Sequence, residues 1–247
     1  VSCKDSFSVA DYVALASKKI KDIHFRKRPV VLCGGTGLYV DSLLNCIDFS
    51  DNTADNELRN KLKEQYLHHG GEYMYKLLCD VDKAASEKIH PNNIKRVLRA
   101  LEIYYSSGRS KTEQDEIARN NESIYHTLYI GINYDNRDVL YDRINRRVDI
   151  MLQEGLIDEV KSLMEKGYTR DMNSMKGIGY KEVMDYLEGA VSFEKMTEIL
   201  KQSTRHYAKR QLTWFRRDER INYIDAKENV LQEADKLIGE WLKNEKL

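Results

Sequence analysis

Proline is nearly absent: Pro29 and Pro91 are the two in 247 residues. With no low-complexity or repeated stretch beside them, no segment reads as a long flexible linker. Long apolar runs are missing too. The longest, such as residues 30–33, fall far short of the roughly 20 residues that a membrane span requires, which predicts a protein without membrane contact. Cysteine is sparse, and Cys3, Cys33, Cys46 and Cys79 form no C-x-x-C pair. Neither a structural zinc site nor a disulfide framework is expected, and a reducing cytoplasm fits. The histidines show no H-E-x-x-H spacing, and His68-His69 reads as a surface pair rather than a ligand set. Net charge is lacking as well, with 40 Lys or Arg against 40 Asp or Glu. A neutral chain does not coat nucleic acid generally, so any nucleic-acid site must be local. No G-x-x-x-x-G-K-[ST] phosphate loop occurs either; Gly108-Arg109-Ser110-Lys111-Thr112 lacks both the spacing and the Gly-Lys pair.

What is present is enough apolar side chain for a buried core, 41% of residues, in one large or two ordinary domains. Ser8 followed by Asp11 resembles a capping box with Asp in place of Glu, and Val9, Tyr12, Val13, Ala16, Ile20 and Ile23 continue at helical spacing. Residues 30–33 then read as a buried strand, ended by Gly34-Gly35-Thr36-Gly37 and followed by a helix. Strand candidates at 127–133 and 221–225 also lie between helical stretches, the signature of a parallel α/β sheet. Three strands are few for such a sheet and the chain starts at Val1 rather than Met, so one or more βαβ units are expected to be missing ahead of it. Between 45 and 123 the pattern changes to polar helices, 56–67, 73–78 and 94–105 among them, without strand candidates. The predicted organisation is an α/β core from 1–44 and 124–247, with a helical insertion domain at 45–123.

The sharpest anomaly of composition lies at 201–217, where six Lys or Arg occur without one Asp or Glu. On the helix expected there, Phe193, Met196, Leu200, Ser203, Tyr207, Gln211 and Trp214 follow one face, while Lys201, Arg205 and Lys209 align at i, i+4. Such a row of like charges repels by a few tenths of a kcal/mol per pair. Either it is a solvated basic face or an external anion such as phosphate neutralises it. Tyr207, Trp214 and Phe215 are expected in the core. A second helix, 138–154, carries Arg143, Arg146 and Arg147 beside the apolar line Leu140, Ile144, Val148 and Met151. Asp142 and Asp149 lie within one turn of Arg146 and can satisfy it, but Arg147 has no such neighbour. Next to an apolar face that charge needs a partner from elsewhere, a salt bridge to another element or a substrate phosphate.

Weaker signals surround these. The glycine turn at 34–37 could present backbone N–H groups and the Thr36 hydroxyl to a ligand at the sheet edge, although glycines there are more often required for positive φ. Asn92 and Asn93 are placed to cap a helix bearing Lys95, Arg96 and Arg99 near its N-terminus, where the helix dipole also favours anions. Lys176-Gly177-Ile178-Gly179-Tyr180-Lys181 is a glycine turn flanked by lysines that lets backbone approach a nucleic acid closely.

Taken in order, Phe7-Ser8-Val9-Ala10-Asp11, Gly34-Gly35-Thr36-Gly37-Leu38-Tyr39, Ile89-His90-Pro91-Asn92-Asn93 with Arg96 and Arg99-Ala100-Leu101-Glu102, Asp142 to Asp149, Gly177 to Glu182 and Arg205 to Arg216 resemble the tRNA dimethylallyltransferase family over nearly the whole chain. The resemblance implies a P-loop-like parallel sheet core with a helical insertion and a channel where dimethylallyl diphosphate meets a tRNA adenosine beside the anticodon, flipped out of its stack. Arg147 would stabilise the leaving diphosphate, together with Arg205, Lys209 and Arg210. Thr36 would touch the target nucleotide and count with Arg147 as catalytic. Arg59, the stretch Lys95, Arg96, Val97, Leu98 and Arg99, and the stretch Lys176, Gly177, Ile178, Gly179, Tyr180 and Lys181 would contact the tRNA anticodon stem-loop. The resemblance also implies Mg2+ as cofactor, with no protein ligand in this chain, and a monomeric protein is expected. The chain departs from the family at the front, where the phosphate loop and the aspartate thought to act as general base would precede Val1, and at His206, which replaces an arginine. An adenylate dimethylallyltransferase and a non-catalytic tRNA-binding fragment are the competing possibilities.

Overall fold

Hydrophobic spacing of three to four residues runs through most of the chain, and the computed structural model is accordingly helical around a small parallel sheet; it describes residues 2–5, 7–45, 56–120, 123–227 and 229–244. Cys46 lies outside these, while Cys3, Cys33 and Cys79 are free thiols. Among the described residues no helix is long and apolar enough to cross a membrane.

The elements divide into two compact units, one comprising Val1–Ser8, Leu32–Gly37 and Thr127–Leu247, the other Val9–Val31 and Leu38–His126. One break between the units falls between His126 and Thr127. Helices α1 (Val9–Phe25) and most of α2 (Gly37–Leu44) cluster with the helical unit rather than with the sheet. The Tyr12 and Tyr39 rings, 4.8 Å apart between centroids, join α1 to α2.

In the helical unit, α3 (Asn56–Val81) is broken at Gly70, whose φ of 79° and ψ of 177° are outside helical space. That break separates the two stretches expected at 56–67 and 73–78. α4 (Lys83–Lys88), α5 (Ile94–Ser107) and α6 (Lys111–Asn120) follow. Asp82 caps α4, accepting from the Ala85 N–H at 3.0 Å, and also accepts from the Thr112 N–H and hydroxyl at 3.0 and 2.8 Å. One carboxylate thereby fixes the starts of α4 and α6 together. Leu62, Met74, Leu78, Val97 and Leu101 form the centre of this unit's core, each such side chain contributing about 1.5–3 kcal/mol on burial.

In the other unit, β1 (Tyr129–Asn133) pairs in parallel with β2 (Ile221–Asp225), Tyr129 opposite Ile221 and Asn133 opposite Asp225. Between them run α7 (Arg137–Gln153), α8 (Leu156–Glu165), a short 3-10 turn, α9 (Tyr180–Leu187) and α10 (Phe193–Phe215); α11 (Val230–Asn244) packs on β2. Val148, Val160, Met175, Val183, Met196 and Leu200 are the centre of its core. Parallel strands joined through helices give the α/β class that the sequence implied.

The expected strand at 30–33 is not one. Residues 29–36 are extended without a ladder, and Val31 is 86% exposed. A strand exists only through its hydrogen-bonded neighbour, and among the described residues none lies beside this segment. The two-stranded sheet therefore falls one strand short of the three that the sequence promised.

Candidate functional site

The seam between α7 and α10 holds the cationic row Lys201, Arg205 and Lys209. It forms because Ile144 and Val148 on α7 and Met196 and Leu200 on α10 are buried, which turns the flanking polar rows toward one another. Lys201 Nζ lies 2.6 Å from Asp149 Oδ1. One turn on, Arg205 Nη1 donates to Asn145 Oδ1 at 2.7 Å and its guanidinium stands 5.9 Å from the Tyr141 ring centroid. Lys209 lines a cavity of about 150 Å3 together with Tyr134, Asp135, Arg137, Tyr141 and Arg216. The first two cations of the row on α10 are thus answered one turn apart by Asp149 and Asn145 on α7, with the Tyr141 ring also beside Arg205. Repulsion along the row is relieved inside the protein at Lys201 and Arg205, and only the Lys209 end, three cations against Asp135, keeps an excess of positive charge for an anion. Arg210 is exposed and lies 5.7 Å from the Tyr207 ring centroid.

Arg147 stands apart. At roughly 100° per residue it lies about 200° round α7 from Asn145, on the side away from α10. It is exposed and makes no hydrogen bond, ion pair or ring contact with a described residue. The desolvation penalty expected of it is absent, because water solvates the exposed guanidinium, and among the described residues no other element offers it a salt bridge. Arg146 does pair with Asp142, at 2.5 Å. Arg147 is not brought together with Arg205, Lys209 and Arg210.

The glycine turn rests on the far end of α10. Gln211 Nε2 donates to the Gly35 carbonyl at 2.8 Å. A Cβ built on Gly37 would lie 2.1 Å from Trp214 Cδ1, and one on Gly35 would lie 2.2 Å from Gln211 Nε2. None of Gly34, Gly35 and Gly37 has positive φ. These glycines serve close approach to α10, not left-handed geometry, and Thr36 is left exposed between them. Trp214 and Phe215 are half-buried, whereas Phe193 and Tyr207, placed on the apolar face by spacing, are 42% and 37% exposed.

In the helical unit, Arg59 Nη2 and Arg99 Nη1 meet the same oxygen of Glu102, Oε1, at 2.6 and 2.9 Å. The Glu102 side chain is 8% exposed, so two cations answer one buried carboxylate and leave a surplus positive charge at the surface. Lys95 and Arg96 are exposed. Val97 is completely buried and Leu98, half-buried, packs against the same core, because the inward face of α5 passes through the middle of that stretch. Asn93 occupies the N-cap position of α5 but its side chain makes no capping hydrogen bond.

The 176–181 turn exposes Lys176, Gly177 and Lys181 and buries Gly179. Gly179, at φ 105°, is reached only by a residue without Cβ, and its N–H donates to Glu182 Oε2 at 2.9 Å. Lys181 Nζ lies 3.4 Å from Glu182 Oε1, an ion-pair distance without hydrogen-bond geometry. Tyr180 donates its hydroxyl to Glu159; that bond first, then burial and the nearby carboxylate charge, push its pKa up to about 12. Ile178 packs against the core. Among the described residues no group of three or more His, Cys, Asp or Glu could hold a metal ion.

Asn145, Asp149 and Gln211 were not recognisable as partners from spacing, since each acts on a residue in another helix or loop, and neither was the second partner of Glu102, Arg59 on α3.

The profile of the IPP transferase family matches residues 1–218. The chain belongs to this family. It is 44% identical over 228 residues to a tRNA dimethylallyltransferase of Acetivibrio thermocellus, covering 92% of this chain and 72% of that one. A tRNA dimethylallyltransferase of Alkaliphilus metalliredigens is 45% identical over 240 residues, 97% of this chain and 75% of the relative. Among solved structures, the tRNA isopentenylpyrophosphate transferase of Bacillus halodurans is 40% identical, with a TM-score of 0.67 over 100% of this chain and 78% of that one. A eukaryotic dimethylallyltransferase acting on tRNA is 26% identical, with a TM-score of 0.82 over 99% of this chain and 64% of that one.

Proposed function

We propose that this member of the IPP transferase family transfers the dimethylallyl group of dimethylallyl diphosphate to the exocyclic amine of an adenosine beside the anticodon of tRNA. The amine lone pair forms a bond to the allylic carbon, the carbon–oxygen bond to diphosphate breaks with its electron pair, and the amine proton passes to a base. Arg147 is assigned to the leaving diphosphate, and the observation that supports this is its bare guanidinium on a helix whose neighbouring Arg146 is paired internally. A cation left unneutralised gains most when negative charge develops in front of it, so it lowers the barrier more than it aids ground-state binding.

Thr36 is assigned to the target nucleotide. Arg59, Lys95, Arg96 and Arg99, and the exposed backbone and lysines of 176–181, are assigned to the tRNA backbone, where cations set position rather than sequence. The cavity beside Lys209 and Arg216 is assigned to a further phosphate, with Arg205 held beside it and Arg210 at the surface. Mg2+, when bound to the diphosphate, would neutralise part of its charge.

Incubating the full chain with an unmodified anticodon stem-loop, dimethylallyl diphosphate and Mg2+, followed by mass spectrometry of the nucleosides, tests this. Prenylated adenosine in the stem-loop is the expected product. Prenylation of free adenylate instead would favour the mononucleotide enzyme, and binding of the stem-loop without transfer would leave an RNA-binding module.

A further inference from the structure

Residues 29–36 take no part in a ladder and receive one hydrogen bond among the described residues, the Gln211 side chain to the Gly35 carbonyl at 2.8 Å. On the other side of Thr36, the Trp214 ring fills the place where Gly37 has no Cβ. Thr36 therefore sits between two points of attachment that both belong to the last turns of α10, one polar and one apolar. Gln211 and Trp214 are three residues apart and so share a face of that helix. The segment itself is exposed, with Val31, Leu32, Cys33, Gly34 and Thr36 facing water. Nothing in its own sequence stiffens it after Pro29.

We infer that Gln211 is a positioning residue that sets the height of the Thr36 hydroxyl over the reacting nucleotide, with the Trp214 ring as its stop. This rests on the assignment of Thr36 to the target nucleotide. The bond is directional: the amide nitrogen donates to a carbonyl, and no carboxylate can replace it. Misplacing a contacting group by about 1 Å can cost on the order of 100-fold in rate while binding is nearly kept.

Gln211→Glu keeps the side chain's shape but replaces the donor with a carboxylate, whose negative charge also repels the Gly35 carbonyl oxygen. The variant is compared with Thr36→Ala and with the double variant, measuring kcat and the KM for stem-loop. Positioning gives a kcat at least about tenfold lower in Gln211→Glu with KM within about threefold, and a double variant no slower than Thr36→Ala alone, since both changes then remove one contact. Multiplying losses would make Gln211 merely structural and overturn the inference, as would a wild-type kcat in Gln211→Glu beside a slow Thr36→Ala. A wild-type rate in Thr36→Ala overturns the assignment of Thr36 and the inference with it. Amide hydrogen exchange over 29–36 gives a readout independent of turnover. Faster exchange in Gln211→Glu is required, and unchanged protection overturns the inference even if the chain transfers no prenyl group.

Discussion

Arg205 and Asn145 meet across the α7–α10 seam through a 2.7 Å hydrogen bond from Nη1 to Oδ1. A hydrogen bond to a charged donor contributes about 1.5–3 kcal/mol where it is shielded, and less at a half-buried site such as this one. Asn145→Ala is expected to cost about 1 kcal/mol, a fall in Tm of roughly 2–4 °C for a chain of this size, read by thermal unfolding. It also frees Arg205 to swing, so the KM for dimethylallyl diphosphate should rise in the same variant. An unchanged Tm would show that water replaces the amide without loss.

Among the described residues Arg147 has no structural partner. Arg147→Ala should therefore leave Tm within about 1 °C of wild type, since surface substitutions usually fall within ±0.5 kcal/mol. Turnover should drop more than tenfold, because a charge-assisted hydrogen bond to the leaving group is worth about 1.5–3 kcal/mol. Stem-loop affinity should hold. Arg147→Lys keeps the charge but not the fork and is expected between the two. Equal loss of binding and rate would reassign Arg147 to tRNA.

The glycine turn permits a paired test. A methyl group on Gly37 would overlap the Trp214 ring, whereas one on Gly34 would meet nothing within 4 Å. Gly37→Ala should shift the Trp214 fluorescence and destabilise by about 1–3 kcal/mol through overpacking, while Gly34→Ala leaves both unchanged. Similar behaviour in the two variants would mean that the ring yields freely.

Tyr180 supplies a pH dependence. Its folded pKa of about 12 exceeds the unfolded value of 10.0, so the folded state holds the proton more tightly. The stability this contributes is complete below about pH 10 and is lost as pH rises toward 12. Urea unfolding at a series of pH values should show a steeper decline over that window in wild type than in Tyr180→Phe, and identical declines would refute the Glu159 bond.

What could be read from the sequence was whatever lies along one helix or strand. The spacing of Ile144 and Val148, and of Met196 and Leu200, gave α7 and α10, and the apolar runs around Ile130 and Ile224 gave β1 and β2. The Arg146–Asp142 pair was visible because both partners sit on one helix, four residues apart. Residues 30–33 misled because four apolar residues look alike whether or not a neighbour pairs with them. The cationic row was seen, but its relief by Asn145 and Asp149 was not, since helix periodicity says nothing of which helix lies opposite. Val97 and Leu98 were carried along with their cationic neighbours although α5 turns them inward. Glu102 lies three residues after Arg99 on one helix, so that pair was within reach of spacing, but the approach of Arg59 from α3 was not.

The parallel pairing of β1 with β2 has a consequence for synthesis. Tyr129 leaves the ribosome with its partner Ile221 still unmade, and every residue of α7 through α10 must follow before the ladder can close. The helices α3 to α6, whose contacts are with close neighbours in sequence, can settle while that happens. Closure of so distant a pair is the slow, entropy-limited event. A translational pause placed shortly after β2 emerges would give the nascent chain time to complete it, whereas one placed between β1 and β2 would prolong the interval in which β1 is exposed to aggregation.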